Sequence, residues 1–369
     1  MKKILTLLLS LSCFLNFGQT KLSYSSYLQV DYLYGNIIAH NPDATAFLQG
    51  HPTGFILSYN KRSFGEENWQ ERFNYPDFGY SLGIYDYHSE ILGKLYAVYG
   101  HYNFYLLNRL YKNQLIVRTG IGLAYNTHPY NKVTNNKNTA FGTYLNSSTY
   151  FKVYYQHENI FKNIGFNTGL TFIHASNSNV KSPNSGVNLW AFTIGLNYNL
   201  TPKLNNNTFI PSTESKKFTE PIKLNIAIRG GVNESEIIGS GQRAFFVASV
   251  YADKRINRIS ALQLGLDLYI SPIVKDFYEI NKTIPFSHLK EAHEFSRIGL
   301  FIGHELFINK LSIETSLGYY IKTPYVYQAI YYETLGLKRY INKKWFASIR
   351  LKAHAANAET VEFGVGIRL

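Results

Sequence analysis

Residues 163–200 read as one strand, a short polar loop and a second strand. His174 and Ser176 stand near the end of the first. A serine hydroxyl becomes a nucleophile when a base lies within hydrogen-bond reach and a further group orients that base. Two residues apart on one strand face, Cα atoms lie about 6.6 Å from each other, a gap that imidazole and hydroxyl close. The first requirement of serine chemistry is therefore met by local geometry. His-x-Ser alone is a weak pattern, because a wall histidine with no chemical role reads the same way.

The elements that carry the pair raise its weight. Ile164, Phe166, Thr168, Leu170, Phe172, His174 and Ser176 share one face, since strand side chains alternate. Gly165, Asn167, Gly169, Thr171 and Ile173 share the other. The second strand repeats the division, with Trp190, Phe192, Ile194, Leu196 and Tyr198 against Ala191, Thr193, Gly195, Asn197 and Asn199. A soluble sandwich puts its bulky residues inside. Here the small polar face suits the interior of a narrow barrel, with the greasy face in lipid. A histidine on a lipid-facing wall is costly unless it serves something or sits at the interface.

The rest of the chain agrees with a membrane barrel. Lys2 and Lys3, the apolar run Ile4 to Leu15 and the exit Phe17-Gly18-Gln19 read as a secretory signal, residues 1–18, cleaved after Gly18. A lipoprotein reading would make Cys13 the acylated residue, but Leu11 stands where a small or β-branched side chain is usual. Without Cys13 the mature chain has no cysteine, which excludes disulfides and thiol catalysis. No later apolar run is long enough for a transmembrane helix. A closed barrel still crosses a bilayer, because strand pairing satisfies every backbone group. The 31 Tyr and 25 Phe suit the aromatic girdles of such a barrel. The formal charge of +13 fits either an ordinary basic surface or attraction to the phosphates of lipopolysaccharide in the outer membrane. No nucleic-acid-binding module is recognisable, and export removes that partner.

Alternation predicts an all-β, antiparallel chain of about sixteen strands: 23–37, 53–62, 78–88, 93–107, 114–126, 146–157, 163–176 and 188–200, then 222–232, 243–252, 260–271, 296–308, 311–322, 328–341, 344–356 and 361–369. A polar linker, 201–221, divides two eight-strand units, 19–200 and 222–369. A turn or two of helix is expected at Phe286 to Phe295. The halves look duplicated: Gly100-His101 answers Gly303-His304, and Ile194-Gly195-Leu196 answers Val365-Gly366-Ile367. Inward positions are mostly Gly, Ala, Ser, Thr and Asn with Arg118 in the first half. Arg229, Glu314, Arg350, Glu362 and Arg368 point inward in the second. Opposite charges that pair across a narrow lumen favour two barrels; one sixteen-strand barrel with an aqueous channel is the alternative.

Phe172-Ile173-His174-Ala175-Ser176-Asn177, followed by Lys181-Ser182-Pro183-Asn184-Ser185-Gly186-Val187-Asn188, resembles the signature of the lipid A 3-O-deacylase family, the acyloxyacyl hydrolases of outer membranes. The resemblance covers about residues 20 to 200. It implies an eight-strand barrel that removes the ester-linked acyl chain at position 3 of lipid A. It also implies roles: Ser176 as nucleophile, His174 as general base, Asn184 in the oxyanion hole, and Asn177 beside the nucleophile shaping the site. Asn188 is a departure, because the family places a carboxylate there to orient the histidine. An asparagine carbonyl can still accept the imidazole N–H, but it adds no charge. Lys181 is either a solvated loop lysine or a contact for a lipid phosphate.

The second half lacks this pair. Around Ala353-His354-Ala355-Ala356-Asn357, alignment on the histidine puts Ala356 where the serine should be, alignment on strand face points His354 inward with Arg350 and Lys352, and the loop with Pro183 and Asn184 has no counterpart. His288 and His293 miss metal-ligand spacing, and no metal or cofactor is implied. Two rival readings remain: a non-enzymatic barrel, structural or a narrow pore, with a relic motif, and an acyltransferase of the same compartment.

Overall fold

The computed structural model describes residues 25–38, 49–201, 209–214, 217–283, 296–323, 326–355 and 357–369. The signal-like segment and the helix expected at 286–295 lie outside them. Eight strands form the first sheet: β1 (Ser26–Ile37), β2 (Thr53–Lys61), β3 (Asp77–Asp86), β4 (Lys94–Tyr105), β5 (Asn113–Asn126), β6 (Leu145–Phe161), β7 (Ile164–Ser176) and β8 (Val187–Asn199). Each pairs antiparallel with the next, and β1 pairs with β8, so the sheet closes. The second sheet holds β9 (Lys223–Asn233), β10 (Arg243–Arg255), β11 (Ser260–Ile270), β12 (Ser296–Ile308), β13 (Leu311–Lys322), β14 (Tyr331–Tyr340), β15 (Trp345–His354) and β16 (Asn357–Arg368). It closes through β16 and β9. The chain is two eight-strand barrels, not one of sixteen.

Burial alternates along most of each strand, as in β8, where Trp190, Phe192, Ile194, Leu196 and Tyr198 are exposed and the residues between them are buried. No helix among the described residues is long and apolar enough to cross a membrane; the apolar belt belongs to the strands. Both lumens are filled with side chains. In the first, Arg118 donates to Gln29, Ser58, Asn60 and Asn103, and Lys152 pairs with Asp31 at 2.8 Å. This interior holds more than the small residues and single arginine expected. Tyr85, Tyr99, Tyr150 and Tyr154 also cross it. Glycine makes the room: a Cβ on Gly120 would lie 2.2 Å from the Tyr150 ring. In the second lumen, Arg350 meets Glu362 at 2.7 Å, and Lys338 meets Glu305 at 2.9 Å and Glu314 at 3.1 Å. Arg118 is held by neutral acceptors on several sides, and the other buried charges named here are tolerated because each has an opposite partner.

Among the described residues, two short helices lie outside the walls: α1 (Asn68–Arg72) in the β2–β3 connection and α2 (Ile273–Lys282) after β11. The barrels touch at both rims. At one, Glu67 accepts a hydrogen bond from Asn309 at 2.5 Å, and Glu214 pairs with Arg72 and Arg258. At the other, the loop after β7 meets the loop after β9.

Candidate active site

The site forms where β7 and β8 run side by side toward that second rim. Register sets His174 directly across from Asn188, so both side chains emerge on the outer face. His174 Nδ1 lies 2.7 Å from Asn188 Oδ1, and Nε2 lies 3.0 Å from Ser176 Oγ. An Asn carbonyl oxygen accepts only, so it selects the tautomer with the proton on Nδ1. Nε2 is then left to accept from the serine hydroxyl. Ser176 is 5% exposed, while His174 and Asn188 are half-buried. Outward and along the wall stand Phe172 and Trp190, their rings 5.1 Å apart, and the exposed Leu170 and Phe192.

The loop after β7 folds back over the pair. Ser178 and Asn179 take left-handed backbone with φ of 55° and 63°, turning the chain just past the serine. The Asn177 amide N–H donates to Asn184 Oδ1 at 2.7 Å, and Asn177 Nδ2 donates to the Lys181 carbonyl at 2.7 Å. Asn184 is therefore tied to the residue after Ser176, with its oxygen occupied and its Nδ2 as the remaining donor. Lys181 is exposed. Gly186 has φ +69°, and a Cβ there would lie 3.1 Å from the Ser176 Cβ and 3.2 Å from His174 Cε1. Neighbours brace the end of β7: Ser148 Oγ donates to the His174 carbonyl and Ser147 Oγ to the Ser176 carbonyl, both at 2.9 Å. The Ser185 and Gly186 amides donate to the Thr139 and Ala140 carbonyls.

All six residues singled out in the sequence thus gather within one strand pair and its loop. Gly186 enters the sequence reading only as part of the motif, and the bracing serines do not enter it. Two of these could have been found: Ser147 and Ser148 lie on β6, which the strand order sets beside β7.

Other serine–histidine contacts show what distinguishes this one. Ser81, His101 and Asn60 form a chain of contacts at 2.8 and 2.9 Å, but it is sealed inside the first lumen. Ser260 and His304 touch across β11 and β12 on the outside of the second barrel. That contact joins neighbouring strands, so no short motif reveals it. Among the described residues it has no side-chain partner on the other imidazole nitrogen and no loop of donors over it. His354 is buried as expected, between the Tyr331 carbonyl at 2.7 Å and Glu359 at 2.6 Å.

An all-antiparallel closed barrel with an apolar outer belt and a polar filled lumen defines an outer-membrane-type barrel, here doubled. Residues 53–197 match the family model described as lipid A 3-O-deacylase, and residues 222–369 match the model described as the acyloxyacyl hydrolase C-terminal domain. Between them the two models cover most of the chain, which belongs to the lipid A 3-O-deacylase family of the outer membrane. No curated protein matches significantly. Among solved structures, Omp33 of Acinetobacter baumannii is 9% identical with a TM-score of 0.18, over 95% of this chain and 100% of that one. Outer membrane phospholipase A of Escherichia coli is 9% identical with a TM-score of 0.19, over 96% and 94%. Likeness this weak says nothing about the site.

Proposed function

We propose that this protein is a serine esterase that removes the ester-linked acyl chain from position 3 of lipid A. The observation that carries the reading is the hydrogen-bonded chain Asn188–His174–Ser176 on the outside of the wall, at the rim. An enzyme for a soluble ester has no reason to present its nucleophile there. A membrane lipid brings its ester to that depth and lays its acyl chain along Phe172, Trp190 and Phe192.

Ser176 Oγ attacks the ester carbonyl and passes its proton to His174 Nε2. Asn188 Oδ1 holds the imidazole by Nδ1–H. The tetrahedral oxyanion takes a hydrogen bond from Asn184 Nδ2, a donor of a kind worth about 3 kcal/mol in such sites. Collapse releases the sugar 3-hydroxyl, which takes the proton from His174, and water then frees the acyl chain from Ser176. Asn177 holds the loop in shape. Lys181, exposed on that loop, meets a lipid A phosphate. The site rim faces the cell exterior, because the connections at the opposite rim are mostly short, as periplasmic turns are.

The missing carboxylate at Asn188 favours a second reading, a barrel with a relic site. Lipid A mass spectrometry separates the two. Cells expressing the protein should lose one ester-linked acyl chain per lipid A, and cells expressing Ser176→Ala should keep it. Unchanged lipid A in both leaves the relic reading standing.

A further inference from the structure

The second barrel brings a buried carboxylate to the loop over Ser176. Glu234, the first residue past β9, is 3% exposed. Its Oε2 accepts the Ser182 amide N–H at 2.9 Å, across the gap between barrels. Its Oε1 accepts the amides of Gly239 at 3.1 Å and Gly241 at 3.0 Å, within its own loop. No lysine or arginine among the described residues pairs with it, so the charge is held by backbone donors from both sides. Three more contacts surround it. Ser182 Oγ donates to the Ser235 carbonyl at 2.5 Å, the Glu234 amide donates to the Asn179 carbonyl at 3.0 Å, and Gln242 Nε2 donates to the Val180 carbonyl at 2.9 Å.

These contacts all land on the segment between Asn177 and Asn184. Ser182 stands two residues before Asn184, whose side chain carries the oxyanion donor beside Ser176. The loop is also held by the Asn177 amide and side chain, by Ser147 of β6 against Ser178, and by the Thr139–Ala140 edge on its far side. We infer that Glu234 is a positioning residue for the esterase: it clamps the Ser182 amide so that Asn184 Nδ2 stays aimed at the reacting carbonyl. The inference rests on the esterase reading above. It also gives the nucleophile-free second barrel a task, as the fixed post from which the loop is tied.

The test uses the full chain, refolded in detergent, with purified lipid A as substrate. Glu234→Ala should lower kcat by about tenfold or more with KM within about twofold, because an oxyanion donor out of place weakens the transition state and not the ground state. Glu234→Gln offers only one acceptor oxygen to donors on two sides, so its kcat should fall between the wild type and Glu234→Ala. Amide exchange over 177–186 should quicken in both variants while β7 and β8 stay protected. Asn309→Ala removes a contact between the barrels at the opposite rim and should leave kcat unchanged. Unchanged kcat in Glu234→Ala overturns the inference, as does a raised KM alone, or an equal loss in Asn309→Ala, which would mean simple adhesion between barrels. If Glu234→Ala fails to give a heat-modifiable barrel, Glu234→Gln decides, and full kcat in that variant overturns the inference. An active wild type whose Ser176 reacts with a fluorophosphonate, together with indifferent Glu234 variants, sinks this inference alone. A wild type without activity and with an unreactive Ser176 sinks the esterase reading and this inference with it.

Discussion

At the scale of single residues, the site turns on what Asn188 can and cannot do. Its carbonyl oxygen, 2.7 Å from His174 Nδ1, fixes ring and tautomer as a carboxylate would. In the proposed mechanism it does not neutralise the imidazolium formed when Ser176 gives up its proton. Asn188→Asp keeps the shape and adds the charge. Its kcat should rise by up to about tenfold, corresponding to about 1.4 kcal/mol of extra transition-state stabilisation. Steady-state assay with purified lipid A checks this. A large loss in a folded Asn188→Asp protein would mean that another group orients His174. This much of the site was legible in sequence, because His174, Ser176 and Asn188 fall within one hairpin and alternation alone puts them on one face. Glu234 and the Ser260–His304 contact were not. Each depends on which distant segments meet, and sequence spacing does not carry that.

At the scale of elements, alternation located every strand because one face must be apolar in lipid. It said less about the other face. The Asp31–Lys152 pair hides among polar residues, and whether two opposite charges meet depends on register between non-adjacent strands. Helix α2 was missed although Ile273, Val274, Phe277 and Tyr278 follow a helical spacing, and three of these four are buried. The loop after β7 yields a sharper test. At Gly186 a Cβ would press on Ser176 and His174, and φ is +69°. Gly186→Ala should therefore cost about 1–2 kcal/mol of local backbone strain and lower kcat by at least about tenfold. Gly100, where an added Cβ would have nothing within 4 Å, is the control. Gly100→Ala should leave kcat and thermal stability unchanged. Equal kcat in the two variants would remove the loop from the account.

At the scale of the whole molecule, two sealed barrels meet at the loop of the proposed site. Each sheet closes on itself, so each should fold without the other. Residues 19–200, refolded alone in detergent, should show the heat-modifiable gel shift of a closed barrel and keep a reduced activity, since the loop has lost Glu234. Residues 223–369 should close and show no esterase activity, because the Ser260–His304 pair lacks an orienting partner. A first half that cannot close would undercut the independence of the barrels, and an active second half would contradict the assignment of the site.

The central claim is that Ser176, activated by His174, is the nucleophile. The most direct measurement is peptide mass spectrometry after exposing the detergent-solubilised full chain to a fluorophosphonate, alongside His174→Ala and Ser176→Ala. The account predicts a single adduct on Ser176 in the wild type, labelling slowed at least about a hundredfold in His174→Ala, and none in Ser176→Ala. Wild-type protein that deacylates lipid A while Ser176 stays unmodified, or labels equally fast without His174, would contradict it.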